Sequence, residues 1–116
     1  MYTEKLEEMI HQYKGLMGIV AWIDFEKMKV YFKVTQQYIN GKFYKTLDIS
    51  SVVTFEEYQN QGVFKEFLKT VEELATKYNK TVFVECVHNE ILASYLEKVG
   101  YQTQEHAPIN YYKHFS

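Results

Sequence analysis

The strongest constraint in this chain is a change of hydrophobic period that happens twice around its middle. Residues 43–54, "FYKTLDISSVVT", read as a strand. From about Gln61 to Tyr78 the residues Val63, Phe64, Phe67, Leu68, Val71, Leu74, Ala75 and Tyr78 recur every third or fourth position, the stripe of an amphipathic helix. "KTVFVECV" then reads as a near-continuous apolar strand over 81–87, of the kind buried on both faces. A strand, a connecting helix and an interior strand imply two parallel neighbours joined by a crossover.

The rest of the chain builds on that pair. "TEKLEEMIHQYKG" predicts a helix over about 3–15, with Thr3 as cap, Leu6, Met9, Ile10 and Tyr13 as stripe, and Gly15 near its close. Val-, Ile-, Phe- and Tyr-rich segments predict antiparallel strands near 18–25, 28–38 and 43–54. "FEKM" separates the first two, and Asn40–Gly41 signals a tight hairpin between the next two. "NEILASYLEKVG" predicts a short helix capped by Asn89 and closed by Gly100. "YQTQEH" and "INYYKHF" read as two last strands. The expectation is one α/β (mixed α+β) domain over residues 1–116. It has a mixed, mostly antiparallel sheet with a central parallel pair and helices on both faces.

Composition excludes several function classes. The net charge is −2 and the chain has no Arg, which argues against a nucleic-acid reader. The single Cys86 excludes an internal disulfide and fits a reducing compartment. It reads as a small strand residue, not a nucleophile. His11, His88, His106 and His114 have no ligand spacing, so no metal site is expected. There is no secretory pattern at the start and no apolar run long enough to span a membrane. The expected location is cytoplasmic, or the host cytoplasm if the chain is phage-encoded. Nothing suggests a membrane partner, and the aromatic-rich "INYYKHF" could pair across a homodimer.

Two segments carry a resemblance. "VVTFEEYQNQGVFKEFL" resembles the acyl-CoA binding motif of the GCN5-related N-acetyltransferases, with Gln59 in its Arg/Gln place and Gly62 as its first Gly. Phe64 stands where Gly or Ala is usual. "VECVHNEILASYLEKVGY" resembles the same family's strand, Asn, short helix and closing Gly-aromatic pair. The two cover roughly residues 47–101, and the order of elements agrees through the C-terminus. The N-terminal part is shorter than the family's, with one helix where two are usual.

The resemblance implies a GNAT-like acetyltransferase fold, acetyl-CoA as co-substrate and an amine as acceptor, either a small molecule or a protein. It implies that backbone amides of Gln61, Gly62, Val63 and Phe64 receive the pyrophosphate, the Phe64 ring narrowing that cradle. Val52, Val53 and Thr54 would lie beside the pantetheine arm, and Asn89 would contact it. Many members place a Tyr seven residues after the Asn to protonate the leaving thiolate; that position here is Leu96. Tyr95 is one residue early, about 100° around a helix, and is the nearest candidate; Tyr101, Tyr111 and Tyr112 are stand-ins. Glu85, a carboxylate inside an apolar strand, is the first candidate base, because burial raises a carboxyl pKa. Asp48 is second. The alternative is a catalytically inactive module of the same fold that acts through protein partners.

Overall fold

The computed structural model describes residues 2–15, 17–25, 28–54 and 61–115. The described elements follow the predicted order: α1 (Tyr2–Gln12), β1 (Ile19–Phe25), β2 (Met28–Ile39), β3 (Lys42–Thr54), α2 (Gln61–Tyr78), β4 (Thr81–Val84), α3 (Glu90–Lys98), β5 (Gln102–Gln104) and β6 (Ala107–His114). The strands form one sheet in the order β1-β2-β3-β4-β6-β5. Thr46–Ile49 of β3 run parallel to Thr81–Val84 of β4, with α2 as the crossover, and every other described pair is antiparallel.

Side-chain alternation gives the sheet two unlike faces. On one face Val30, Phe32 and Val34, Leu47 and Ile49, and Val82 and Val84 share a core with Leu6 of α1, Phe67 and Val71 of α2 and Leu96 of α3. Phe32 and Phe67 meet edge to face at 6.5 Å. Each large apolar side chain buried here contributes about 1.5–3 kcal/mol. Lys113 pairs with Val82, so it points to this same face, and its Nζ donates to Val99 O at the end of α3 at 2.7 Å. All three helices therefore pack on one face, whereas the sequence pattern predicts helices on both.

The second face needs no helix because the sheet folds over it. Asn40 and Gly41 make the hairpin turn with φ of 47° and 96°. Asn40 Oδ1 accepts from Glu105 N at 2.9 Å, its Nδ2 donates to Tyr112 Oη at 3.1 Å, and Gln104 Nε2 donates to Tyr38 O at 2.8 Å. These bonds tie the β2–β3 tip to the β5–β6 turn across the apolar group Ile39, Phe83 and Tyr112. Thr46, Asp48 and Thr81 are buried on that face. No described helix is long and apolar enough to cross a membrane.

Candidate functional site

The parallel pair comes apart at one end. Its last tie is Glu85 N donating to Ile49 O at 3.0 Å. Cys86 then takes a φ of +55°, which residues with a Cβ rarely adopt. Beyond it the chain bonds towards β6: Cys86 N donates to Asn110 Oδ1 at 2.9 Å, and Val87 N to Ile109 O at 2.8 Å. The strand predicted over 81–87 thus ends at Val84. β3 runs on to Thr54 with β2 as its only partner among the described strands. A register shift puts Ser50 in a bulge of β3 at this point, opposite Tyr31 and Phe32. The parting opens a cleft of about 370 Å³, whose lining includes Ile49, Ser50, Glu85, Cys86, His88 and Asn89. Val52, Val53 and Thr54 lie on the part of β3 that continues past it.

Because β3 and β4 run parallel, the chain leaves both at the same end of the sheet, and α2 and α3 begin there. A helix start offers N–H groups without intrahelical partners and the positive end of the dipole. In the first turn of α2, which opens at Gln61, Gly62 is exposed and Val63 half-buried. Phe64 is buried in the core, so its ring does not narrow the helix start as expected. Gln59 lies outside the described residues. Asn89 caps α3: its Oδ1 accepts from Ile91 N at 2.8 Å and Leu92 N at 3.1 Å. Only its amide N–H groups are left for anything held in the cleft.

The carboxylates divide differently from the sequence reading. Glu85 lines the cleft but is partly exposed, with Lys33 Nζ 2.9 Å away and Ser50 Oγ donating to it at 3.1 Å. Asp48 is the buried one, fully enclosed on the helix-free face. Gln37 Nε2 donates to its Oδ2 at 2.6 Å, while its Oδ1 and the neighbouring Thr46 Oγ1 have no hydrogen-bond partner. Burial pushes the Asp48 pKa up to about 7, against the Thr46 and Gln37 dipoles and with the help of the nearby Glu85 charge.

The candidate tyrosines do not line the cleft. Tyr95 lies under Lys65 Nζ, 4.6 Å from its ring centroid, in a separate hollow between α2 and α3. The reason is helix phase: Leu92 lines the cleft and Leu96 is buried in the core, which turns Tyr95 away. Tyr101 Oη donates to Glu72 at 2.7 Å, and Tyr112 Oη donates to Gln102 at 2.9 Å. Tyr111 is buried in the main core. Cys86 is exposed, not a buried strand residue. Among the described residues no group of three or more His, Cys, Asp or Glu could hold a metal.

This arrangement has counterparts among solved structures. A Tyr-to-Phe mutant of the AtaT toxin, bound to the C-terminus of the antitoxin AtaR and acetyl-CoA, matches with a TM-score of 0.56 at 12% identity over 76% of this chain. The same mutant bound to the AtaR C-terminus alone gives 0.52 at 13% identity over 74%. A chain of the KacTA–DNA complex gives 0.55 at 12% identity over 97%. This chain shares its fold with these chains. This chain spans 58% of the length of the matched AtaT chains and 80% of that in the KacTA complex. No family model and no curated protein matches the sequence.

Three features of the site escape the sequence reading. The bulge at Ser50 has no Gly to mark it. The strained turn at Cys86 depends on Asn110, a residue 24 positions away. Asp48 is buried with Gln37, a residue 11 positions away, bonded to one of its oxygens, which no local pattern marks.

Proposed function

We propose that the chain binds an acyl-CoA, with acetyl-CoA the leading candidate, and moves the acyl group to an amine. The observation that carries this reading is the cleft where β3 and β4 part, beside the starts of α2 and α3. The residues present suit such a co-substrate. The start of α2, Gln61 to Phe64, is the place for a pyrophosphate, at the positive end of the helix dipole. The edge of β3 from Ser50 to Thr54 is available to the amide groups of a pantetheine arm, as an added strand would be. AtaT, a structural counterpart, is bound to acetyl-CoA, which supports the same choice here.

Acetyl-CoA supplies the activated acyl group as a thioester. Glu85 and Asp48 are the groups able to take the proton that the acceptor nitrogen loses as it attacks the carbonyl carbon. Asp48, with its pKa near 7, is poised to exchange a proton at neutral pH. Glu85 is the one in contact with the cleft. As the C–N bond forms the C–S bond breaks, and the thiolate takes its proton from water, since no tyrosine among the described residues faces the cleft. The alternative, a non-catalytic module acting through protein partners, draws support from Leu96 and from AtaT, which is bound to a segment of AtaR.

Thiol release from acetyl-CoA, measured against a panel of amines, separates the two readings. The transferase reading predicts amine-dependent release that falls about 100-fold or more in Glu85→Gln, the size of a lost general base. Binding of the co-substrate without release for any amine would favour the non-catalytic module.

A further inference from the structure

The two edges of the sheet are built differently. At one end β5 is three residues long, polar throughout, and carries a register shift against β6. A short, polar, irregular edge is a poor template for another strand. β6, the aromatic-rich segment expected to pair across a homodimer, lies inside the sheet between β4 and β5. At the other end β1 has β2 as its only partner among the described strands, over all of Ile19–Phe25 and without a register shift. Alternate residues of such a strand direct their N–H and C=O groups away from the sheet. β1 itself carries none of the devices that blunt an edge: it has no Pro, no Lys and a single charge, Asp24.

The side chains along this edge suit pairing as well. Ile23 and its register partner Val30 are both in the core, so Val20, Trp22 and Asp24 lie on the helix-free face. Val20 and Trp22 are each about half exposed (49% and 47%), and the Trp22 ring centroid is 5.1 Å from that of Tyr31. On the helix side a groove of about 330 Å³ lies between α1 and β1, its lining including Glu4, Lys5, Glu8, Met9 and Ala21. An added strand sets one row of its side chains beside Val20 and Trp22 and the other row beside this groove.

Charge decides which strand fits. The groove carries both signs, and on the other face Asp24 has Lys29 as its register partner. A strongly basic or strongly acidic segment meets like charges along such an edge. A second β1 brings one charge in its whole length. In an antiparallel pairing centred on Trp22, each Asp24 stands opposite the other copy's Val20, and the two carboxylates stay about 14 Å apart. A strand paired with itself in this way is related by a two-fold axis, so the assembly closes at two copies.

We infer that β1 is a self-association edge, at which two copies pair their β1 strands antiparallel about Trp22 into one continuous sheet. With about 24 Å of strand on each side, the contact is at the small end of specific interfaces and the association is reversible. β2 and β3 lie between this edge and the cleft, so the pairing leaves the cleft open and does not rest on the transferase reading.

Sedimentation equilibrium between about 5 and 500 µM protein tests this, together with the emission of Trp22, the single tryptophan of the chain. A monomer–dimer equilibrium is expected, with the emission moving to shorter wavelength as the dimer fraction rises. Val20→Lys places a charge on the edge and should weaken the association at least about tenfold. Phe43→Lys, at another exposed apolar residue away from β1, should leave it unchanged. Should Val20→Lys lose cooperative melting, Trp22→Lys gives the same comparison by sedimentation. A monomer throughout the range would overturn the inference and leave the edge to a foreign chain. A dimer that Val20→Lys leaves intact would overturn it too, as would one whose formation does not move the Trp22 emission.

Discussion

Asp48 is a fully buried carboxyl group with one oxygen held by Gln37. Its pKa, raised from the ordinary 3.8 to about 7, means that the folded chain keeps a proton which the unfolded chain gives up. The sign follows. The stabilising contribution is fully present below the ordinary carboxylate value and is lost as pH rises through about 7. Asp48→Asn keeps the shape and removes the titration. Denaturant unfolding should show the variant more stable than the unaltered chain by roughly 2–4 kcal/mol near pH 8, and nearly equal near pH 4. An equal difference at both would show that Asp48 does not titrate in this range. At this scale the sequence was a partial guide. Both carboxylates are visible as charges inside apolar strands, and Glu85 looks the better buried. Which one is enclosed depends on where β4 ends and on what closes the second face, and neither is a property of the residues themselves.

Elements were legible where a period runs long enough to repeat. From the stripe between Val63 and Tyr78, Phe64, Phe67, Leu68, Val71, Leu74 and Ala75 are buried, and α2 occupies Gln61–Tyr78 as read. The hairpin at Asn40–Gly41 follows from two residues that tolerate positive φ. The end of β4 was not legible, because Glu85, Cys86 and Val87 continue an acceptable strand pattern. A tertiary bond from Asn110 decides it, by holding Cys86 in the left-handed region. For α3 the cap and the site overlap. Asn89 Oδ1 satisfies two amides of the first turn. Asn89→Ala should therefore cost about 1 kcal/mol in urea unfolding before any effect on a ligand is counted. A stability unchanged within error would mean that the cap contributes nothing, and any loss of ligand binding could then be read directly.

The whole molecule places its openings by topology. One crossover makes one parallel pair, and that pair sets two helix starts and a strand parting at the same end. Brought together there are the cleft, the continuing edge of β3 and the exposed Gly62. The helices gather on one face, so the second face is left to Lys33, Glu85 and Asp48. Sequence order alone was enough to place the crossover. It could not show that Glu85 of the second face also lines the cleft, since that depends on Ser50 and Cys86 bending two strands apart.

The proposed occupant of this opening is an acyl-CoA with its pyrophosphate at the start of α2. Calorimetric titration of acetyl-CoA into the unaltered chain and into Gly62→Glu tests it most directly. Saturable binding is expected below millimolar ligand, with its loss in a Gly62→Glu chain that still melts cooperatively, because a carboxylate there opposes the phosphates by bulk and by charge. No binding to the unaltered chain at millimolar acetyl-CoA, or equal affinity in Gly62→Glu, would contradict it.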